Sequence, residues 1–349
     1  MKKRKVLATI LGSCMVLSLA ACGGDTTTTS TPPAPTGSAV VEGIESQVPA
    51  GGTVGVCIYK FDDNFMTTYR TALETILKEK GYEVTVVDGN NDQAKQTEQI
   101  NTFIAQGVDA LIINPVMTSA ASSIVNLVQT ADIPTVFINR EPTAEDMGSY
   151  NKCVYVGCDA AQSGTFQGEL ILETETKGDI NGDGKVSYIM IQGDPENIDA
   201  KLRTEYSVKA LTDAGMEVEQ LNLTRGDWDQ NKGQEICAND LAQFGDKVEV
   251  VFSNNDSMAL GAMEAIKTAG RTVGKDIYIV GVDALDAALD AVKAGEMTGT
   301  VLNDAQSQAE KAVECMEGLL GGTTYTEGEQ SIYVDYVKVT SGNVNEFIK

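Results

Sequence analysis

Short apolar runs alternate with polar turns and helical stretches along most of the chain. Ten runs of four to six residues predict strands at Val54–Tyr59, Val84–Asp88, Ala110–Asn114, Thr135–Asn139, Val154–Cys158, Val186–Ile191, Val218–Leu223, Val248–Ser253, Ile277–Val282 and Gly299–Leu302. Most of them lead through a polar or glycine-containing turn into a stretch with helical periodicity. Such alternation predicts an α/β fold, with doubly wound parallel sheets covered by helices on both faces. The roughly 300 residues involved are enough for two domains.

The N-terminus has the composition of an export signal. Lys2 to Lys5 are basic and precede an apolar run, Val6–Ala21, that is shorter than a membrane span and typical of a signal peptide. The run ends in small residues followed by Cys22, a pattern similar to the bacterial lipoprotein signal. We therefore predict a signal peptide at 1–21 and a lipidated Cys22 at the mature N-terminus; a cleaved signal without lipid is the alternative. Residues 22–50, rich in Thr and Pro, predict a disordered tether.

Charge and cysteine content narrow the class of ligand. The chain has 26 basic and 50 acidic residues, and four of the basic ones leave with residues 1–21, so 22 basic residues remain against 50 acidic ones. This excess disfavours nucleic acid and anionic lipid surfaces as partners, and it favours a neutral small molecule. The five cysteines after Cys22 have no zinc-type spacing and no redox motif, so we expect them to be buried apolar residues.

Residues 179–187 match the first nine positions of an EF-hand-type calcium loop. The oxygen donors of this loop are predicted to be Asp179, Asn181, Asp183, the carbonyl of Lys185, and Ser187. Gly184 permits the sharp turn, but position 12 is Met190 where the motif has a bidentate Glu. The loop also runs into a predicted strand where an EF-hand has a helix. We therefore expect a structural calcium loop within an α/β protein; the alternative is a polar turn without metal.

Polar and aromatic residues follow the predicted strands, at the edge where parallel sheets bind ligands. They are Asp63, Phe65, Asn139, Asn197, Asp199, Arg203, Trp228, Asn255, Asp283 and Asn303. Carboxylates and amides bind hydroxyl groups, and aromatic rings pack on the apolar faces of a sugar. The chain has no histidine, and no Ser or Cys stands beside a plausible base. The set therefore predicts a carbohydrate cleft.

Polar and aromatic residues near these strand ends, taken singly, also have purely structural explanations. Asp159 and Asp256 are expected to be helix N-caps, and Asn139 and Asn303 suit caps or turns. Asp199 and Arg203, four residues apart, could be a surface ion pair, and an isolated Phe or Trp is more often part of a core. The occurrence of all of these residues at one edge favours a ligand site.

Several segments together resemble the periplasmic galactose/glucose-binding protein family. They are 59–66, the calcium loop, 198–203, 254–259, 281–285 and 299–304, and the resemblance extends from about residue 53 to the C-terminus. The resemblance implies two lobes joined by three chain crossings, with a pyranose held between them. It assigns the polar candidates to hydroxyl and ring-oxygen hydrogen bonds, and Phe65 and Trp228 to the two sugar faces. It also implies that Glu249 is the missing calcium ligand.

Two positions depart from the family pattern. Asn197 stands where the family has His, and Ser187 stands where the calcium loop has Gln. Asn197 can donate a hydrogen bond but cannot carry a charge. The preferred sugar therefore stays open among galactose, glucose, a pentose and a methyl galactoside, and direct ligation of calcium by Ser187 stays open as well.

We expect a first lobe at 51–157 plus 304–337 and a second lobe at 158–303 plus 338–349. The predicted function is that of a monomeric extracytoplasmic binding lipoprotein, which closes on a galactose- or glucose-type monosaccharide and presents it to the permease of an ABC importer. A sugar sensor for a chemoreceptor or histidine kinase is the alternative within the same class.

Two other classes are less favoured. A glycosidase would need a carboxyl such as Asp63 or Asp283 with a raised pKa, whereas the surrounding amides and Arg203 are expected to keep both ionised. A sugar-binding repressor would need a DNA-binding headpiece where this chain has a signal and a tether. We therefore expect no enzymatic activity.

Overall fold

The structure, a computed structural model, describes residues 51–348. The predicted signal peptide, the lipidation site at Cys22 and the tether lie outside the described residues. Within 51–348, no helix combines the length and the apolar composition that a membrane crossing requires.

Helices and strands alternate through the described part of the chain. The strands are β1 (Thr53–Ile58), β2 (Glu83–Asp88), β3 (Ala110–Ile113), β4 (Thr135–Ile138), β5 (Cys153–Gly157), β6 (Lys185–Gln192), β7 (Glu217–Arg225), β8 (Val250–Ser253), β9 (Tyr278–Val280), β10 (Thr300–Leu302), β11 (Ser331–Tyr333) and β12 (Val337–Val339). The helices are α1 (Asn64–Glu79), α2 (Gln93–Gln106), α3 (Ala121–Thr130), α4 (Ala144–Gly148), α5 (Ala160–Leu172), α6 (Ile198–Asp213), α7 (Gln230–Phe244), α8 (Asp256–Thr268), α9 (Asp286–Ala294) and α10 (Ala305–Leu320). All ten predicted strands are present, with ends shifted by a few residues.

The first lobe is built on a parallel sheet with the strand order β11-β5-β4-β3-β1-β2. Side chains alternate between its two faces along each strand. Val56 and Ile58 pack with helices α1 and α10, whereas Cys57 lies in the core on the opposite face. Burial on both faces explains why these strands have continuous apolar runs.

The second lobe has a parallel sheet with the order β7-β6-β8-β9, which is also covered on both faces. Parallel bridges from Val280 to Gly299 and from Asp283 to Leu302 attach β10 to the β9 edge. Strand β10 then pairs antiparallel with β12. The predicted α/β fold with parallel sheets in two lobes is thus confirmed, with one additional antiparallel pair at the edge.

The chain passes between the lobes three times. The crossings follow β5, β10 and β11, because α10 packs on the first sheet whereas α5 and β12 contact elements of the second lobe. Strands β11 and β12 were not among the predicted strands. Each has only three residues, and the exposed side chains of Tyr333 and Val337 give no apolar run. The exact lobe boundaries given above stay a prediction.

The five described cysteines are buried and free, as expected. Burial raises the pKa of Cys57 to about 12 and also raises those of Cys153 and Cys158. These thiols are therefore protonated at neutral pH and behave as small apolar groups.

Candidate functional site

A central cavity lies between the lobes, at the carboxyl ends of the strands of both sheets. Its lining residues are Tyr59, Asp63, Phe65, Met66, Asn139, Arg140, Asn197, Asp199, Arg203, Trp228, Asn255, Asp283 and Asn303. All ten residues predicted from the sequence for sugar binding are among them. Three of the ten come from the first lobe (Asp63, Phe65 and Asn139), and the other seven belong to the second lobe or its crossing. Their roles toward a ligand stay a prediction.

Asp63 is positioned by the start of helix α1. It is the N-cap of this helix, and its Oδ1 accepts a hydrogen bond from the Met66 backbone N–H at 2.8 Å. Its Oδ2 accepts a hydrogen bond from the Tyr59 hydroxyl at 2.6 Å. Phe65, the second residue of this helix, is buried and packs edge-to-face on Tyr69. Both candidates are therefore held in place before any ligand binds.

Asn139 and Arg140 follow strand β4. Asn139 has a left-handed backbone with a φ of 61°, and its side-chain oxygen accepts a hydrogen bond from Asn114 Nδ2 at 3.1 Å. The Asn139 Nδ2 therefore remains available to donate to a ligand. Arg140 is buried, and its guanidinium lies 3.8 Å above the Tyr59 ring.

Arg203 connects helix α6, the loop after strand β8 and the third crossing. Its Nη2 lies 3.3 Å from Asp199 Oδ2 and 2.9 Å from the Tyr336 hydroxyl, and its Nη1 donates to the Asn254 carbonyl at 2.9 Å. Asp199 and Arg203 are 6% and 3% exposed, so they form a buried ion pair and the surface-pair explanation is wrong. The pair fixes the carboxylate of Asp199 toward the cavity.

Asn197 and Asn255 are helix N-caps as well as cavity residues. The Asn197 side-chain oxygen accepts a hydrogen bond from the Asp199 N–H at 3.0 Å, and that of Asn255 accepts one from the Met258 N–H at 3.0 Å. In both cases the oxygen serves the helix, which leaves the amide NH₂ as the group that can reach a ligand. The structural explanation is therefore confirmed for these residues, and it leaves room for the predicted role in ligand binding.

Asp283 and Asn303 face the cavity from the ends of β9 and β10. Asp283 Oδ1 accepts a hydrogen bond from Asn303 Nδ2 at 3.1 Å, and Asn303 Oδ1 accepts one from Gln308 Nε2 at 2.6 Å. Asp283 has a φ of 122°, a conformation that is rare for a residue with a side chain. The second carboxylate oxygen of Asp283 carries no protein hydrogen bond within the described residues and is free to accept one from a hydroxyl group.

Burial shifts the pKa values of two cavity carboxyls upward, against the direction in which Arg203 acts, and a pKa of about 6 still leaves Asp199 mostly ionised at neutral pH. Burial raises the pKa of Asp199 to about 6, against the opposing attraction of Arg203. Burial also raises the pKa of Asp283 well above its usual range, and Arg203 again only partly offsets it. The cost of removing these carboxylates from water exceeds the gain from one guanidinium. A ligand that donates hydroxyl hydrogen bonds would stabilise their charged forms.

Trp228 owes its position to two backbone features. Asp227 and Trp228 have consecutive positive φ angles of 52° and 66°, and Gly193, after strand β6, leaves room for the indole. A Cβ atom on Gly193 would lie 2.3 Å from atoms of the Trp228 ring. The indole is therefore wedged at the cavity wall, with the Arg203 guanidinium 5.9 Å from its ring centre.

We expect Gly193→Ala to weaken sugar binding by displacing Trp228, with a loss of up to about 1–3 kcal/mol, by analogy with the loss of a stacking aromatic ring. Gly318→Ala is the matched control, because a Cβ there meets its nearest atom at 3.5 Å. Titration calorimetry of both variants checks the expectation. Equal affinities in the two variants would show that the indole position is not set by Gly193.

Some site residues were not predicted from the sequence. Met66 and Arg140 directly follow predicted residues, and Tyr59 lies four residues before Asp63, so proximity in sequence was their signal. Tyr336 comes from the third crossing and carries no local signal at all. Asp159 is an N-cap as predicted, but the cap of α8 is Asn255. Asp256 instead accepts hydrogen bonds from the Thr300 hydroxyl and the Leu285 N–H inside the protein, because its side chain points back into the core.

The residues of the predicted calcium loop lie together beside β6. Glu249 is buried, and its carboxylate accepts hydrogen bonds from the backbone N–H groups of Ile180, Asn181 and Ser187 at 2.7–2.9 Å. Asp179 and the side chains of Asn181 and Asp183 accept hydrogen bonds from backbone N–H groups within 182–185. Among residues 51–348 no three Asp, Glu, His or Cys side chains lie close enough together to form a metal cluster. The calcium assignment stays a prediction.

Known proteins share both the sequence pattern and the architecture of this chain. A family model described as periplasmic binding protein domain matches residues 54–324. The chain is 37% identical over 311 residues to the D-galactose/methyl-galactoside binding periplasmic protein MglB of Haemophilus influenzae, covering 86% of this chain and 93% of that protein. It is 30% identical over 270 residues to the ribose import binding protein RbsB of Bacillus subtilis, with 77% and 82% covered.

Solved structures of solute-binding proteins superpose on most of this chain. An ABC transporter solute-binding protein from Bacillus halodurans with bound myo-inositol superposes with a TM-score of 0.74 at 29% identity, covering 85% of this chain and 97% of the other. A galactofuranose-binding protein superposes with a TM-score of 0.76 at 23% identity, covering 85% and 97%. The second likeness shows the fold alone.

Proposed function

Because the chain belongs to the periplasmic binding protein family, we propose that it is an extracytoplasmic solute-binding protein that captures a galactose- or glucose-type monosaccharide between its lobes and delivers it to a sugar ABC importer. The observation that carries the proposal is the composition of the central cavity. Both lobes supply polar groups to it, and these groups are buried although their hydrogen-bonding capacity is incomplete.

The chemistry of the cavity favours a hydroxylated ring. The amide NH₂ groups of Asn139, Asn197 and Asn255 can donate hydrogen bonds, and the carboxylates of Asp199 and Asp283 can accept them. Sugar hydroxyls do both, so one ring can pair with both kinds of group. Phe65 and Trp228 supply the apolar surfaces that sugar faces need. An apolar ligand would leave these buried polar groups unpaired, at about 1–3 kcal/mol each.

Delivery requires closure to depend on the ligand. A ligand stabilises the closed arrangement only when it contacts it better than the open one, and contacts from both lobes satisfy this condition. An importer can then distinguish loaded from empty protein by shape. A binding protein needs no bond-breaking chemistry, which agrees with relatives that are named as binding proteins.

The test is a calorimetric titration with galactose, glucose, ribose and myo-inositol. We expect at least one hexose to bind with saturable one-to-one stoichiometry and to raise the melting temperature by mass action. Absence of binding to the whole panel would overturn the proposal. Stronger binding of ribose or myo-inositol than of either hexose would support a solute-binding protein but would contradict the proposed galactose- or glucose-type ligand.

We also propose that the 179–187 loop holds a structural calcium ion. The donor set fits this ion: oxygen atoms of Asp179, Asn181, Asp183 and Glu249, with the Lys185 carbonyl, are the hard ligands that calcium takes. Glu249 is joined to both ends of the loop by its backbone hydrogen bonds and is 1% exposed. No Lys or Arg side chain lies within 4 Å of Glu249, Asp179 or Asp183 among the described ion pairs, so their charges have no cationic side-chain partner. A bound ion would supply that charge.

Chelation is expected to lower the melting temperature of the wild-type protein. An ion that binds only the folded state stabilises it by about 2.7 kcal/mol at a hundredfold excess over Kd. Asp183→Asn should remove this sensitivity, since the amide keeps an oxygen for the Lys185 N–H at 3.0 Å but loses the charge. Glu249→Gln should do the same. If chelator leaves the wild-type melting curve unchanged, the loop is a polar turn.

The proposal includes export as a lipoprotein anchored through Cys22, with the protein acting as a monomer. The support is the order of basic, apolar and small residues that precedes this cysteine. Intact-mass analysis of protein extracted from membranes is expected to show a chain starting at residue 22 with added lipid. A mass equal to that of the unmodified 22–349 chain would show that the signal peptide is cleaved but that Cys22 carries no lipid.

A further inference from the structure

Within residues 51–348, two hydrogen bonds join the lobes away from the chain crossings. In the first, Asn64 Nδ2 on helix α1 donates to Ser257 Oγ on helix α8 at 2.8 Å. In the second, Thr118 Oγ1 of the first lobe donates to the Glu196 carbonyl of the second lobe at 3.4 Å. None of these four residues lines the central cavity. The lobes are therefore joined partly by groups that do not contact a ligand in that cavity.

The side chains of the first pair do not serve their own helices. The N-cap of α1 is Asp63, and that of α8 is Asn255. Both helix ends are therefore already capped, which removes the usual structural reason for an Asn or a Ser at the start of a helix. Among the described residues, the bond across the cleft is the one side-chain hydrogen bond that Asn64 or Ser257 makes.

The bond forms where the two walls of the candidate sugar site approach each other. Asn64 lies between Asp63 and Phe65 in the sequence, and Ser257 follows Asn255 by two residues. Ser257 is 3% exposed, and its hydroxyl faces helix α1 of the other lobe. Opening of the cleft would separate the two helices and return this hydroxyl to water. The bond therefore belongs to the closed arrangement of the lobes.

The contact between the lobes is neutral. None of the ion pairs within residues 51–348 joins one lobe to the other. Because water replaces a neutral hydrogen bond when it breaks, one such bond shifts an equilibrium by only about two- to tenfold. The Thr118 bond is longer than the usual 2.9–3.0 Å, so its contribution is the smaller one.

Closure and ligand binding are thermodynamically linked. When a protein is mostly open without ligand, its apparent affinity is proportional to the small fraction that is closed and competent to bind. A contact that stabilises the closed form without touching the ligand therefore raises the affinity for every ligand by the same factor. Residues that touch the ligand, by contrast, change the affinities for different sugars unequally.

From these observations we infer that Asn64 and Ser257 form an interlobe latch, which sets how tightly this protein binds its sugar without selecting the sugar. The inference rests on the proposed function, because it requires a ligand that binds between the lobes. The ligand-free protein is mostly open, and the latch forms as the cleft closes. Asn64 and Ser257 are thus positioning residues for the closed state.

The test is a double-mutant cycle across the cleft. Asn64→Ala, Ser257→Ala and the double variant are titrated by calorimetry with every sugar of the panel that the wild-type protein binds. Each single variant should lose affinity for all of these sugars by one common factor of about two to ten, and its dissociation rate should rise accordingly. The double variant should lose no more than either single variant. Additive losses, or unequal losses for different sugars, would overturn the latch.

Controls and melting curves separate the latch from an ordinary structural contact. Thr71→Ala and Ser163→Ala are matched controls, because each hydroxyl donates to a carbonyl of its own helix, at 2.8 and 2.9 Å, and both variants should keep the wild-type affinity. Since the open form lacks the latch, the melting temperature of the ligand-free protein should stay nearly unchanged in Asn64→Ala and Ser257→Ala. A lower melting temperature with unchanged affinity would contradict the inference.

The same titrations distinguish the two proposals. Wild-type affinities in Asn64→Ala and Ser257→Ala would overturn the latch and leave the proposed function intact. Failure of the wild-type protein to bind any sugar of the panel would overturn the proposed function itself.

Discussion

Arg203→Ala is expected to abolish measurable sugar binding and to lower the free energy of unfolding by about 3–5 kcal/mol, the usual cost of removing one partner from a buried ion pair. The change leaves the Asp199 carboxyl buried without its guanidinium. It also frees the Asn254 carbonyl and the Tyr336 hydroxyl, which accept hydrogen bonds from Arg203 at 2.9 Å. Tyr336 belongs to the third crossing, so the loss should loosen the contact between that crossing and the cavity.

Helix α6 offers a matched control for this variant. Lys209 and Asp213 form an ion pair with the same four-residue spacing, at 2.5 Å, but both are largely exposed. Lys209→Ala should change the free energy of unfolding little, because an exposed ion pair is screened by water. Urea denaturation gives the two stabilities, and calorimetry gives the affinities. A loss below 1 kcal/mol in Arg203→Ala would mean that the buried pair does not stabilise the second lobe.

Trp228→Ala should cost about 1–3 kcal/mol of binding free energy, by analogy with the loss of stacking aromatic residues at other binding sites. The indole lines the cavity and is the only tryptophan in the chain. Wild-type fluorescence should therefore change on addition of a saturating sugar. Trp228→Phe keeps an aromatic face and should lose less affinity than the Ala variant.

Two results would contradict this role. If Trp228→Ala loses less than about 0.5 kcal/mol of binding free energy, the indole does not stack on the sugar, since stacking losses are normally larger. Unchanged wild-type emission during tight calorimetric binding would place the sugar away from the ring. The Gly193→Ala variant serves as a further check, because it moves the same ring without removing it.

Much of the fold was predictable because it depends on local patterns. Strands buried on both faces have continuous apolar runs, and all ten predicted strands formed. Strands β11 and β12 have no such run, and only pairing with distant strands orders them, β11 with β5 and β12 with β10. Pairing across more than thirty residues, as between β10 and β12, leaves no local signal in a three-residue segment.

The sequence by itself determined most of the residues that line the central cavity, ten of thirteen, because the carboxyl ends of parallel strands meet at one edge whatever the details of packing. Only the tertiary structure decided the electrostatics and the geometry of that cavity. The raised pKa of Asp283 comes from burial between two lobes that are far apart in sequence. The same holds for the burial of the Asp199–Arg203 ion pair, the contribution of Tyr336 and the unpaired Nε of Arg140. Desolvation depends on everything that surrounds a group, so residue spacing along the chain cannot specify it.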